Sequence, residues 1–178
     1  MDLTRLLEID AKYSQAVRVA EKPGLLRQLA LVIGHSGDSW FWAIGLLVVI
    51  FTGAPVYRHW ALVSLVAVVV GAATVLAIKF RFRRRRPEGQ MGQIYRKTDP
   101  HSFPSGHAVR SLMLGVVALG IAPPWLGITL IIWGPMVGIA RVAIGVHYLS
   151  DVVAGWILGI IFGLAAIWAS PFIAGIVF

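Results

Sequence analysis

From Ser111 to Ala140 the chain carries no charged side chain. One bilayer-crossing helix needs about 20 mostly apolar residues, so this run is too long for a single pass. Ala122-Pro123-Pro124 interrupts it, because proline cannot continue a helical hydrogen-bond ladder. The spacing predicts one span from about Ser105 to Ile121 and another from about Trp125 to Ala140. The same reading gives spans over Trp40 to Tyr57 and over Trp60 to Ile78, the latter ending at Lys79. A fifth runs from about Ser150 towards the C-terminus, with Ser170-Pro171 expected to end or kink it. The composition agrees: 58% of the 178 residues are hydrophobic and 13% charged, against roughly 45–50% and 25% in soluble domains. The expected fold is all-α, an integral membrane helical bundle of about five transmembrane helices.

The first 38 residues read differently. Leu3, Leu6, Leu7, Tyr13, Val17 and Ala20 share one side of a helical wheel, which predicts an amphipathic helix lying in the membrane interface. Asp10 falls inside that apolar stripe. Pro23-Gly24 ends the helix, and Leu25 to Ile33 is a second apolar piece, too short to span alone. The expected organisation is an interfacial segment over 1–38 and a catalytic bundle over 39–178. No signal-peptide-like apolar run with a cleavage site opens the chain, so the internal spans are expected to direct insertion.

Five spans put the connections on alternate sides. The N-terminus, the polar loop from about Phe80 to Phe103 and the loop carrying His147 share one side. All eight acidic residues, and every basic residue except Arg58, fall on that side or at its border. Lys79 and Arg86-Pro87, then Pro104-Ser105-Gly106-His107, then Arg141, His147 and Asp151 therefore converge on one membrane face. Ionisable groups at such a border mark function. The net charge of +8 reads as membrane topology plus an anionic substrate, not nucleic-acid binding. With no cysteine, thiolate metal sites and cysteine nucleophiles are excluded.

These groups suit a phosphate ester. Arg86 and Arg141 offer permanent, fork-shaped donors, and Lys79 adds a compact cation. Ser105 and Gly106 stand where a helix N-terminus would present free N–H groups to an anion. A bare imidazole nitrogen can attack phosphorus. His147 is the better nucleophile, since Asp151 lies four residues on and can fix its tautomer. His107 then serves as general acid and later as base. No metal or cofactor is called for, because fixed cations and amides stabilise the charge.

The ordered set K-x6-RP, PSGH and R-x5-H-x3-D resembles the type 2 phosphatidic acid phosphatase (PAP2) superfamily, in particular its membrane lipid-phosphate phosphatases. The resemblance implies His147 as nucleophile, His107 as general acid and Asp151 as the orienting carboxylate. It implies that Lys79, Arg86, Ser105, Gly106 and Arg141 hold phosphate. One position departs: Ala140 stands where the family usually has serine. The matched motifs run from Lys79 to Asp151. The implied activity is metal-independent hydrolysis of a membrane lipid phosphate through a phosphohistidine. Candidate lipids are phosphatidic acid, phosphatidylglycerophosphate and a polyprenyl phosphate or diphosphate. The alternatives are a lipid phosphotransferase using the same site and a non-catalytic anionic-lipid carrier. A haloperoxidase, the soluble branch of the superfamily, is not expected from so oily a chain.

The remaining charges have blander readings. Arg81, Arg83, Arg84 and Arg85 are expected to mark topology or touch lipid headgroups. Arg110 is expected to pair with Asp99 or a headgroup, His101 to scaffold its loop, His35 to be interfacial, and Asp38 to cap a helix. The protein is expected in the plasma (inner) membrane. The positive-inside tendency favours a cytoplasmic site face, although the substrate-binding cations contribute to the same count.

Overall fold

Proline and glycine set most of the helix boundaries. In the computed structural model, which describes residues 2–96 and 99–177, eight helices follow one another: α1 (Leu3–Val17), α2 (Leu25–His35), α3 (Ser39–Thr52), α4 (Pro55–Phe82), α5 (Gln90–Arg96), α6 (Gly106–Ile121), α7 (Pro124–Ala143) and α8 (Leu149–Val177). Pro55 and Pro124 each stand in the first turn of a helix, where a missing N–H leaves no bond unmade. Among the described residues the fold is all-α, and three helices, α4, α7 and α8, are long and apolar enough to cross a membrane.

The first expected span differs. Its helix stops at Thr52, and Pro55 to Tyr57 belong to α4. Upstream, α3 joins α2 across a 51° bend, and the two together form a bent candidate span. The piece over Leu25 to Ile33 is thus half of a broken helix. At 16 residues, α6 is apolar but shorter than the helices long enough to cross a membrane. The fifth expected span does not end at Pro171, since α8 continues to Val177. The expected polar loop contains the short helix α5.

Helix α6 lies at the centre, packed against α4, α7 and α8. Two glycine seams let it sit there. A Cβ on Gly155 would stand 2.8 Å from Ala108 Cβ, one on Gly159 2.6 Å from the Val109 carbonyl oxygen, and one on Gly163 2.7 Å from Val116 Cβ. Spaced four apart, these glycines line one face of α8 and admit the α6 backbone. Across the other side, Gly115 and Gly134 bring α6 and α7 to similar contact. Away from the motif end, Trp60, Val63, Met113, Leu114, Val117 and Leu130 fill one apolar core.

Helix α1 is tied to the bundle through Asp10 and Ser14. Asp10 accepts from the Ser150 N–H at 3.0 Å, and Ser14 Oγ accepts from the Leu149 N–H at 2.8 Å. Leu6, Leu7 and Tyr13 remain exposed. Asp10 interrupts the apolar stripe because its carboxylate docks the helix on α8. Residue 38, at the expected boundary between segment and bundle, sits in the α2–α3 elbow, and its carboxylate reaches α6.

Replacing Gly159 by Ala is expected to destabilise the bundle by about 1–3 kcal/mol through overpacking. Gly45 faces open space, so Gly45→Ala is expected to stay within about 1 kcal/mol of the parent. Thermal unfolding in detergent checks both.

Candidate active site

The motif end is assembled by turns that leave α4 and enter α6. Lys79 stands in the last turn of α4, and Arg83 caps that helix in the left-handed region with φ 49°. The chain then extends, so that Arg85 bridges His101 and the Ser102 N–H donates to the Arg84 carbonyl at 2.8 Å. This pairing sets the Arg86-Pro87 string beside the approach to Pro104. Ser105 caps α6, its Oγ accepting from the Ala108 N–H at 3.5 Å. Its own N–H donates to the Asp151 carbonyl at 3.0 Å, locking the start of α6 to the start of α8. Gly145, with φ 76°, turns the chain between Arg141 and His147.

Three buried cations face one another. Lys79 Nζ binds the Asp99 carboxylate and donates to the His101 carbonyl at 3.0 Å. Arg86 donates to Asp99 Oδ2 at 2.8 Å and, through Nε, to the Asp99 carbonyl at 2.7 Å. Burial alone would raise the Asp99 carboxyl, but the Lys79 hydrogen bond and the charges of Lys79 and Arg86 outweigh it and hold it below the usual range. Arg141 is fully buried, lies over the Tyr95 ring and donates from Nη1 to Tyr95 Oη at 3.1 Å. Its Nε has no partner among the described residues. A buried guanidinium with an unused donor is fitted to receive an anion.

The imidazoles are set in opposite ways. Arg86 Nη1 lies 3.1 Å from His147 Nε2. A guanidinium can only donate, so Nε2 accepts and keeps its lone pair towards the cations. Nδ1 then carries the proton and points to Asp151 Oδ2 at 3.4 Å, a long bond that can tighten with substrate present. Burial, then the charges of Arg86, Arg141 and Lys79, push His147 well below the ordinary imidazole range. The neutral imidazole, the form able to attack, is thereby favoured. Asp151 is fixed in turn by the Tyr148 N–H at 2.9 Å and by Arg84 Nη1 at 2.7 Å. His107 instead directs Nε2 to Asp38 Oδ1 at 2.7 Å.

A cavity of about 370 Å³ joins these groups. Lys79, Arg86, Arg141, Gly106, His107 and His147 all reach its wall, with Asp99 beside them. Its other end runs between α4 and α6 along Val68, Ala72, Val75, Leu76 and Met113. At the start of α6 the N–H groups of Gly106 and His107 have no intrahelical acceptor. Ser105 is buried behind this wall and acts as the cap. Ala140 is buried near Ala30 and Ile144 in an apolar cluster on the α2–α7 side. Among the described residues no group of three or more His, Asp or Glu side chains could hold a metal ion.

Three readings of the remaining charges are corrected. Arg84 does not face lipid headgroups but bridges Asp151 to Asp10, at 2.7 and 2.6 Å. Arg110 does not pair with Asp99: it is buried, donates to the Gly37 carbonyl and lines the cavity. Asp38 does occupy the N-cap position of α3, but its side chain makes no capping bond and binds His107 instead. Tyr95 and Asp99 also belong to the site. Only Asp38 had a local signal, an acid after Gly34-His35-Ser36-Gly37 at the foot of a span. Arg84 is one arginine among several in a run, and Tyr95 lies in a polar loop.

Residues 60–173 match the PAP2 superfamily. The decaprenylphosphoryl-5-phosphoribose phosphatase of Mycobacterium tuberculosis is 31% identical over 149 residues, covering 79% of this chain and 78% of that protein. The undecaprenyl-diphosphatase of Sulfolobus acidocaldarius is 35% identical over 97 residues, covering 53% of this chain and 45% of that protein, so the chain spans less than half of that relative. Among solved structures, a transmembrane PAP2-type phosphatidylglycerolphosphate phosphatase from Bacillus subtilis superposes with a TM-score of 0.72 at 24% identity, covering 91% of this chain and 84% of that one. The Aquifex aeolicus LpxE structure gives 0.69 at 20% identity, covering 86% and 93%. The three motif strings, gathered at one cavity inside the matched region, make this chain a member of the PAP2 superfamily.

Proposed function

We propose that the protein is a membrane-embedded phosphatase that removes phosphate from a lipid phosphate through a phosphohistidine. One observation carries this reading: a single cavity has a cationic, imidazole-bearing end and an apolar end between α4 and α6. An amphiphile with a phosphate head and a hydrocarbon tail matches both ends. The two relatives named above act, by their names, on polyprenyl-linked phosphates. This favours a polyprenyl phosphate or diphosphate among the candidate lipids.

The chemistry follows from the geometry. The phosphoryl oxygens take the place of the Asp99 carboxylate on Lys79 and Arg86, and reach Arg141 Nε and the amides at the start of α6. This frees His147 Nε2 from Arg86, and its lone pair attacks phosphorus as the bond to the lipid oxygen breaks. Asp151 accepts the hydrogen bond of Nδ1 and balances the imidazolium that forms. His107 protonates the departing lipid oxygen, then takes a proton from the water that attacks the phosphohistidine. Ser105 holds the start of α6 so that Gly106 and His107 face the phosphate. Residues 1–38 lie partly against the membrane interface, through the exposed Leu6, Leu7 and Tyr13 of α1. The positive charge gathered on the site side favours the cytoplasmic face of the inner membrane.

His147→Ala is expected to lower phosphate release by about 1,000-fold or more while lipid phosphate still binds. Unchanged release in that variant would point to a carrier instead of an enzyme. Vanadate, which can adopt the five-coordinate geometry of the transferring phosphoryl group, is expected to inhibit, and a chelator to leave turnover unaltered. Steady-state release of inorganic phosphate from polyprenyl phosphate in detergent micelles measures both. Strict dependence on added metal would contradict the mechanism.

A further inference from the structure

A carboxylate outside the three motifs stands behind His107. Asp38 Oδ1 accepts from His107 Nε2 at 2.7 Å, the length of a charge-assisted bond. A carboxylate only accepts, so Nε2 carries the proton and Nδ1 is the nitrogen left for chemistry. Among the described residues Nδ1 makes no hydrogen bond, and His107 borders the cavity. Burial first, and then the charges of Arg141 and Arg110, disfavour the imidazolium of His107, and the hydrogen bond to Asp38 is what opposes them.

The elbow between α2 and α3 is built to hold that carboxylate. Arg110 Nε donates to the Gly37 carbonyl at 2.8 Å. Trp42 Nε1 donates to the Ser36 carbonyl at 2.8 Å, and Trp133 Nε1 to Ser36 Oγ at 2.9 Å. A Cβ on Gly37 would stand 2.7 Å from Val137 Cγ1 and 3.4 Å from His107 Cδ2. Glycine is what lets this backbone approach the imidazole. Asp38 Oδ2 is held separately, accepting from His35 Nδ1 at 3.1 Å. His35 Nε2 lies 3.4 Å from Tyr95 Oη, which accepts from Arg141 at 3.1 Å. A directional chain thus runs from the phosphate-binding arginine through Tyr95 and His35 to Asp38, and His107 closes it from the far side.

We infer that Asp38 is a positioning residue for departure of the lipid oxygen: the α2–α3 elbow fixes His107 so that Nδ1 delivers its proton there. The inference rests on the reading of His107 as general acid. In the step, the bond from phosphorus to the lipid oxygen breaks and its electron pair stays on that oxygen. The Nδ1 proton of the imidazolium moves to it, leaving neutral His107 with its Nε2 proton still on Asp38. The water that later attacks phosphorus returns a proton to Nδ1, restoring the imidazolium.

Leaving-group dependence separates this role from a structural one. Dodecyl phosphate has a poor leaving alkoxide that needs protonation, and 4-nitrophenyl phosphate has a good leaving group that needs little. Both are assayed in detergent micelles with the full chain and with Asp38→Asn, Asp38→Glu and His107→Ala. General acid catalysis is worth about 100- to 10,000-fold. Asp38→Asn is expected to lower kcat/KM for the alkyl ester at least about tenfold more than for the aryl ester. Asp38→Glu, which keeps the charge, is expected to recover part of that ratio. Loss of folded protein lowers both rates alike, so the ratio is insensitive to it. Equal losses on the two esters in Asp38→Asn, or a ratio in Asp38→Glu no better than in Asp38→Asn, would overturn the inference. A selective alkyl loss in His107→Ala without one in Asp38→Asn removes the positioning role and leaves the general acid in place. No selective loss in His107→Ala removes the general acid, and the role of Asp38 with it.

Discussion

Charge buried at the rim of an oily bundle has to be compensated, and that requirement organises everything at the motif end. A buried cation without a partner is costly by several kcal/mol, and here carboxylates meet Lys79, Arg84 and Arg86 while Arg141 keeps an unused donor. Lys79 and Arg86 share Asp99, and Arg84 joins Asp151 to Asp10. His107 is set against Asp38. The carboxylates divide into two kinds. Asp151 and Asp38 stand behind the imidazoles and orient them. Asp99 stands in front, on the cations, where a phosphate would bind, and is half-exposed in the loop before α6.

This network depends on how closely the helices approach. The glycine face of α8 lets the α6 backbone come within contact of it, and the Ser105 amide then bonds the Asp151 carbonyl across the seam. The second and third motifs are therefore registered by backbone, before any side chain is considered. The first motif is registered by the Arg85–His101 bridge. Packing far from the chemistry thus fixes the relation between His107 and His147.

Much of this was legible along the chain because the motifs mark helix ends. The uncharged run from Ser111 to Ala140 with Pro123-Pro124 inside it gave α6 and α7 to within a few residues. Lys79, Arg86, Gly106, His107, Arg141 and His147 do border one cavity, as expected of motifs placed at helix ends, while among the described residues three helices, or four with the bent α2–α3 pair, are long and apolar enough to be spans. Ser105, expected among the phosphate-holding residues, caps α6 through its Oγ and bonds the Asp151 carbonyl through its N–H. The boundaries around Thr52 and Tyr57 were misplaced, since hydropathy does not distinguish one helix from two separated by Gly53-Ala54. Arg84 and Arg110 looked like surface charges because a sequence shows what a side chain is and not what faces it.

By itself the sequence determined the class of fold, the gathering of the motifs at helix ends and the residues proposed to hold and attack a phosphate. Those follow from the length of apolar runs, the position of the motifs at their ends and the fixed chemistry of each side chain. Only the tertiary structure decided which nitrogen of each histidine is free, and that Asp38, Arg84 and Tyr95 belong to the site. It also decided that the cationic pocket opens into an apolar groove. These depend on contacts between helices distant in the chain, whose partners are chosen by how backbones pack and not by any local pattern.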